Sequence, residues 1–257
     1  MFKLCDVDVL SCKAELSSLP QGKLLINTIN AHSYNMALKD EQFAEALMMG
    51  DALIPDGASI VKACRWIHAK SQPKERIAGW DLFVFEMERL NSKAAAGNKE
   101  MRELPKVMFL GSSEHVLSLI KRKAKDVYPH LNVVTYSPPY KKVFSKEDNE
   151  AMVSAVNREQ PDLLWIGMTA PKQEKWTYAH WNELDIDCHV GTIGAVFDFF
   201  AGTAQRAPKW WQEHSLEWLY RLMKEPRRMW KRYLVGNALF IWNILSHEVL
   251  GKSSCQG

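Results

Sequence analysis

Short apolar runs alternate with amphipathic stretches from the start of the chain to about residue 205, where the alternation stops. Residues 5–10, 24–29, 52–54, 107–110, 133–136, 163–167 and 188–191 form the apolar runs, brief enough to be buried strands. Between them, residues 40–49, 59–69, 80–90, 113–127, 146–158 and 172–184 place their apolar side chains at helical spacing. This alternation predicts βαβ units. The expected fold is α/β: a Rossmann-like, mainly parallel sheet with helices on both faces.

The polar segment 91–104 (NSKAAAGNKEMREL) reads as a helix tail followed by a linker. It separates an N-terminal α/β lobe, residues 1–100, from a more regular Rossmann-like lobe, residues 105–205. Residues 206–257 contain no strand pattern and five of the ten tryptophans: Trp210, Trp211, Trp218, Trp230 and Trp242. Two helices are expected there, 210–224 and 227–248, divided at Pro226. In the second, Trp230, Tyr233, Leu234, Ile241, Ile244 and Leu245 recur at helical spacing, with Arg228, Lys231 and Arg232 near its start. An apolar face, interfacial aromatics and a basic rim suit a helix lying among lipid headgroups. A helical hairpin packed on its own domain or on another subunit fits the pattern equally well.

Composition narrows the classes. The 257 residues suit one large or two small domains, and 47% hydrophobic with 25% charged residues is ordinary for a globular protein. A net charge of +3 argues against a dedicated nucleic-acid binder. The basic excess lies in residues 206–257, which carry nine Lys/Arg and four Asp/Glu. Such asymmetry points to an acidic partner for that region. The five cysteines are scattered, without a CxxC pair or metal-ligand spacing, and read as free thiols of a reducing cytoplasm. The N-terminus is too short and acidic for a signal peptide. The longest apolar candidate, 234–245, is interrupted by Gly236, Asn237 and Asn243 and falls short of a spanning helix of ~18 residues.

The chemistry gathers at predicted strand ends. In IPDGASIVKA, Asp56 and Gly57 follow a strand and open a helix. A carboxylate there can act as a general base toward a ligand held by the helix N-terminus; plain turn and cap chemistry is the other reading. Thr28 and Asn30 lie two apart at another strand end, where they can bond a sugar or nucleotide, or simply cap the helix beginning near His32. In ERIAGWDL, Arg76 can clamp a diphosphate and Asp81 can cap a helix or bind a sugar hydroxyl, whereas a surface pair of Glu75 with Arg76 is the bland alternative. In WIGMTAPKQEKW, Gln173 and Lys175 stand in the first turn of a helix after a glycine turn, suited to a phosphate or a uracil edge. The DxD triplets at 6–8 and 185–187 fit strand and turn alternation rather than a metal site. No metal and no cofactor are expected.

Taken in order, TIN, PDGASIVKACRW, ERIAGWDLF, GMTAPKQEKW, GTIGAVFDFFAGTAQRAP and LEWLYRLMKEPRRMWKRY resemble the bacterial WecG/TagA/CpsF glycosyltransferase family over nearly the whole chain. The resemblance implies inverting, metal-independent transfer of an N-acetylmannosamine-type sugar. The donor is a UDP-sugar and the acceptor a polyprenyl-diphosphate-linked sugar, in surface-polysaccharide or teichoic-acid-like polymer synthesis. By motif, Asp56 matches the catalytic base. Thr28, Asn30, Gly57, Arg76, Gly79, Asp81 and Gln173 match the substrate pocket. Arg221, Arg227, Arg228 and Arg232 match a C-terminal membrane-docking appendage that closes over the lipid diphosphate. The implied place is cytoplasmic, peripheral on the inner membrane face, with no nucleic-acid partner and with a homo-oligomer left open. Thr28-Ile29-Asn30 lacks the proline usual in that motif, and Ala58-Ser59 replace a common glycine, so other hexose donors such as UDP-glucose or UDP-glucuronate stay in play. So does a non-catalytic membrane scaffold, although the Asp, Thr, Asn, Arg and Gln are all present.

Overall fold

The computed structural model describes residues 2–97, 103–214 and 216–249, and only the backbone of Glu213, Arg228, Glu248 and Val249. Six strands form one parallel sheet: β1 (Leu24–Ile29), β2 (Ala52–Pro55), β3 (Lys106–Gly111), β4 (Asn132–Tyr136), β5 (Leu163–Gly167) and β6 (His189–Thr192). Their order is β2-β1-β6-β5-β3-β4. Leu24 of β1 and Leu163 of β5 both pair with His189 of β6, and Val107 of β3 pairs with Leu163 and with Val133 of β4. The strands are mostly apolar, as sheets covered on both faces must be, and buried Asn27 Oδ1 accepts from Thr192 Oγ1 at 2.7 Å. The α/β architecture expected from the alternation is present.

One expected strand is not. Residues Leu4–Asp6 make a 3-10 turn and residues 7–10 run on without a ladder. Their backbone groups bond singly instead: Leu10 N donates to Leu53 O at 3.0 Å, and Cys5 O accepts from Lys70 N at 2.9 Å. The alternating Asp6-Val7-Asp8 mimics a strand, but the Asp8 carboxylate is turned to Lys70 Nζ at 2.6 Å and Ser71 Oγ at 3.1 Å.

The helices are α1 (Ala31–Ala37), α2 (Glu41–Met48), α3 (Ala58–Trp66), α4 (Gly79–Ala96), α5 (Glu114–Val127), α6 (Lys146–Glu159), α7 (Lys172–His180), α8 (Gly194–Ala201), α9 (Lys209–Glu213), α10 (Glu217–Lys224), α11 (Pro226–Trp230) and α12 (Gly236–Asn243). The expected 210–224 helix is two, α9 and α10. The expected last helix runs continuously from α11 through π-wound Lys231–Val235 into α12 and π-wound Ile244–Val249. Pro226 sits in its first turn, where a missing N–H costs nothing.

Among the described residues the chain forms two compact units that interleave along the sequence. The first draws on residues 2–15, 28–78 and 205–249, the second on 16–27, 79–97 and 103–204. In the first, Ile29, Tyr34, Phe43, Leu47, Leu53 and Ile60 bury with Phe240 and Ile244 from the last helix. The Tyr34 ring meets Phe240 edge-on at 5.3 Å. Asn35 clamps the same helix twice: its Nδ2 donates to Gly236 O at 2.8 Å, and its Oδ1 accepts from Asn243 Nδ2 at 3.0 Å. The last helix thus contributes Phe240 and Ile244 to this core.

In the second unit, Met108, Leu110, Leu164, Ile166 and Val190 pack with Met152 and Val156 of α6 and Trp176 of α7. An aromatic cluster of Phe83, Phe109, Trp165, Phe197 and Phe200 is buried here too. Two glycines admit those rings. A Cβ on Gly191 would stand 2.3 Å from the Trp165 ring, and one on Gly167 would stand 2.5 Å from that of Phe197. Four cysteines, Cys5, Cys12, Cys64 and Cys188, are free thiols.

Candidate active site

In the first unit, three separate motifs converge through backbone hydrogen bonds. Asp56 follows β2, and its N–H donates to the carbonyl of Ile29, the last residue of β1, at 2.8 Å. Ile77 N donates to Pro55 O at 3.1 Å, which brings the segment carrying Arg76 to the same strand end. Gly57 lies against Asn30, for a Cβ built on it would be 3.6 Å from Asn30 Cβ. Thr28 and Asn30 are alternate positions of an extended chain, so both face one side.

The polar groups form a chain of opposite charges. Arg76 Nη2 donates to Glu217 Oε2 at 2.8 Å, while Arg76 Nε stands 3.9 Å from Asp56 Oδ1. Arg221 Nη2 lies 3.6 Å from the other oxygen of Glu217. The Asp56 side chain is 33% exposed against 13% for Glu217, so Asp56 is the carboxylate a solvent-borne substrate can reach. Its neighbour Arg76 pairs with Glu217 and Asp56 across the sequence rather than only locally.

Asn30 performs the capping role that the sequence allowed. Its Oδ1 accepts from His32 N and Ser33 N, and Ser33 Oγ accepts from Asn30 N at 2.7 Å, a reciprocal capping box. The oxygen is committed to α1, which leaves the carboxamide nitrogen as its contribution to a ligand. His32, two residues on, is pushed down to about 4 by burial and then by the charge of Arg232, so it is a neutral imidazole at physiological pH. Arg232 also lies beside the Tyr233 ring at 5.9 Å. Arg227 is exposed at the start of α11, and the Arg228 side chain lies outside the described residues.

The remaining predicted residues belong to the second unit. β3 connects to β4 on one side and pairs with β5 on the other, so the β3/β5 crevice is a topological switch point, the usual ligand position in such sheets. There Gly111, at φ +120°, lets the two strand ends touch: a Cβ on it would lie 2.5 Å from Gly167 O. Gln173, in the first turn of α7, is only 4% exposed. Its Oε1 accepts from Met168 N at 3.1 Å, and its Nε2 donates to Glu174 Oε1 at 2.9 Å. A Cβ on Gly194 would stand 2.8 Å from that Gln173 oxygen, so the glycine leaves the carboxamide its seat. Gln173 therefore braces the loop after β5.

Burial pushes the Glu174 carboxyl up to about 7, and its Oε2 has no hydrogen-bond partner among the described residues. Gly79 is a close-packing position, where a Cβ would be 3.3 Å from Ile193 Cγ2. Asp81 sits partly buried in the first turn of α4, beside that helix's positive end. No group of three His, Cys, Asp or Glu side chains placed to hold a metal occurs among the described residues.

Two residues of the first unit escaped the sequence reading: Glu217 and His32. Glu217 lies four residues before Arg221 on one helix face, which reads as a routine surface pair. Nothing local announces its bond to Arg76, 141 residues away. His32 was visible only as part of the capped segment.

Comparison with known proteins places the chain in a family. The model of the glycosyl transferase WecG/TagA/CpsF family matches residues 5–254. A Bacillus subtilis (strain 168) protein named N-acetylglucosaminyldiphosphoundecaprenol N-acetyl-beta-D-mannosaminyltransferase is 28% identical over 210 residues, 82% of this chain and 75% of its own length. Its namesake from Bacillus spizizenii is 28% identical over 235 residues, 91% of this chain and 84% of its own. The protein of that name from Staphylococcus aureus (strain MW2) is 26% identical over 225 residues, 87% and 80%. With a family match along nearly its whole length, the chain belongs to the WecG/TagA/CpsF glycosyltransferases and is an enzyme that transfers sugars.

Proposed function

We propose that this glycosyltransferase moves an N-acetylmannosamine-type sugar from a UDP donor to N-acetylglucosamine carried on a polyprenyl diphosphate. Three relatives bear names stating transfer of N-acetylmannosaminyl to such an acceptor. The observation that carries the chemistry is the partly open Asp56 carboxylate at the end of β2, with the Arg76 guanidinium 3.9 Å away.

Asp56 takes the proton of the acceptor hydroxyl as that oxygen bonds to the anomeric carbon. The bond from that carbon to UDP breaks on the opposite face, so the configuration inverts. An alcohol is a poor nucleophile while protonated, which is why a positioned base is needed. Arg76 offers a planar fork for a diphosphate. Thr28 and the Asn30 carboxamide nitrogen line the sugar side, and neutral His32 adds a group that neither repels a cation nor attracts an anion.

The acceptor's anchor implies a membrane surface. No helix among the described residues is long and apolar enough to cross one. The last helix exposes Trp230, Leu234, Val235, Ile241 and Trp242, and α11 and its continuation add exposed Arg227 and Lys231. This face supports docking from the cytoplasmic side, with the basic residues toward anionic headgroups. A second copy of the chain is the competing occupant of the same face.

The test is product identification. Purified enzyme is given lipid-diphosphate N-acetylglucosamine with UDP-N-acetylmannosamine, UDP-glucose or UDP-glucuronate, each with and without EDTA. N-acetylmannosamine transfer that persists in EDTA is expected. Transfer from another donor alone, or strict dependence on added metal, would overturn the corresponding part of the proposal.

A further inference from the structure

Arg76 stands between two carboxylates at unequal distances. Glu217 Oε2 holds its Nη2 in a charge-assisted hydrogen bond of 2.8 Å, whereas Asp56 Oδ1 is 3.9 Å from its Nε, beyond hydrogen-bond reach. A guanidinium in direct contact with a carboxylate stabilises its ionised form and makes it a poorer proton acceptor. The structure therefore sets Asp56 near enough to Arg76 for both to serve one substrate, yet beyond hydrogen-bond reach of its Nε. The closer of the two carboxylates, Glu217, stands on α10. Glu217 is itself 13% exposed, and its second oxygen faces Arg221, so it is held from both sides.

We propose that Glu217 is a positioning residue that draws the Arg76 guanidinium off Asp56, leaving Asp56 able to accept a proton from the acceptor hydroxyl. This rests on the reading of Asp56 as the base. It gives α10 a part in the chemistry distinct from any contact with lipid. The charged and titratable groups at this rim include Asp56, Arg76, Glu217 and Arg221, and the His32 imidazole of α1 feels the charge of Arg232 on the last helix. Of these, Glu217 is a carboxylate in hydrogen-bonding contact with Arg76.

When Glu217→Gln removes the negative charge at nearly constant shape, Arg76 moves onto Asp56. Asp56 then titrates lower, and the acidic limb of the kcat/KM–pH profile moves to lower pH by about one unit. A weaker base takes the proton less well, so the plateau kcat falls by ~3- to 10-fold. The KM for the acceptor does not rise, because the cation that binds the diphosphate is still present. Glu217→Asp, which keeps the charge, brings the limb back toward the wild-type position. Arg76→Gln removes the shared cation and moves the limb the other way, to higher pH, in a protein that still contains Glu217.

The experiment measures these profiles for the full chain with water-soluble short-chain lipid-diphosphate acceptor, alongside Asp56→Asn. Thermal melting and UDP binding serve as folding controls. An acid-shifted limb in Glu217→Gln with rescue by Glu217→Asp supports the proposal. If Asp56→Asn is inactive but the limb does not move in Glu217→Gln or Arg76→Gln, Glu217 is a structural tie and the proposal falls alone. If Asp56→Asn turns over like wild type, the base assignment falls and takes the proposal with it.

Discussion

Glu174→Gln should stabilise the protein at neutral and alkaline pH while changing little in acid. The carboxyl is 3% exposed, and its Oε1 accepts from Gln173 Nε2 while Oε2 has no partner among the described residues. Burial raises it from an ordinary 4.5 to about 7, with the Gln173 bond opposing that rise. The sign follows from proton counting: between those values the folded protein holds a proton that the unfolded chain has released, so stability falls as pH rises through this window and levels off above it. At about 1.4 kcal/mol per pH unit, a gap of roughly 2.5 units costs about 3 kcal/mol above pH 7. Gln reproduces the shape and hydrogen-bond pattern of the protonated acid but has nothing to ionise. Urea unfolding of both proteins at about pH 5 and about pH 8 should show the variant's advantage growing by about 2 kcal/mol or more. A difference that does not change with pH, or a variant less stable at pH 8, would refute the reasoning.

Three further outcomes follow from the packing and the surface. Gly191→Ala puts a Cβ 2.3 Å from the buried Trp165 ring, and urea unfolding should show a loss of about 1–3 kcal/mol or more. Asn30→Ala removes the side-chain oxygen that caps α1, leaving only the backbone bond to Ser33 Oγ, and should cost about 1 kcal/mol by the same assay, with Asn30→Asp largely retaining the cap. A triple variant with Trp230, Leu234 and Trp242 changed to Ser should lose co-sedimentation with anionic vesicles while keeping transfer to a water-soluble short-chain acceptor. Point changes are the right tool here, since truncation at residue 205 would also strip Phe240 and Ile244 from the core of the first unit.

The strands were legible because a parallel sheet buried on both faces demands continuous apolar runs: 163–167 was read at both of its ends, and 24–29 likewise. Residues 5–10 misled because alternating Asp and Val imitate a half-buried strand, although the carboxylate of Asp8 is spent on Lys70 and Ser71. Helix α8 was missed for the opposite reason: GAVFDFFA is apolar nearly all round, so a 3.6-residue period has no polar face to register against. Asp56, Thr28 and Asn30 are legible as candidates because their residue types stand at strand ends, and Arg76 because it lies in the loop just before α4. Glu217 was not, because an i,i+4 pair on α10 looks the same whether or not a third group arrives from elsewhere in the chain. Gln173 shows the converse. Its place in the first turn of α7 was legible, but burial and the bonds to Met168 and Glu174 make it a brace.

The central claim is that Asp56 removes the acceptor's proton. Single-turnover transfer by Asp56→Asn, with UDP-sugar affinity measured on the same preparation, tests it most directly. A rate lower by ~10²- to 10⁴-fold is expected, with donor affinity within a few-fold of wild type. Transfer at a rate close to wild type, with the donor bound normally, would contradict it.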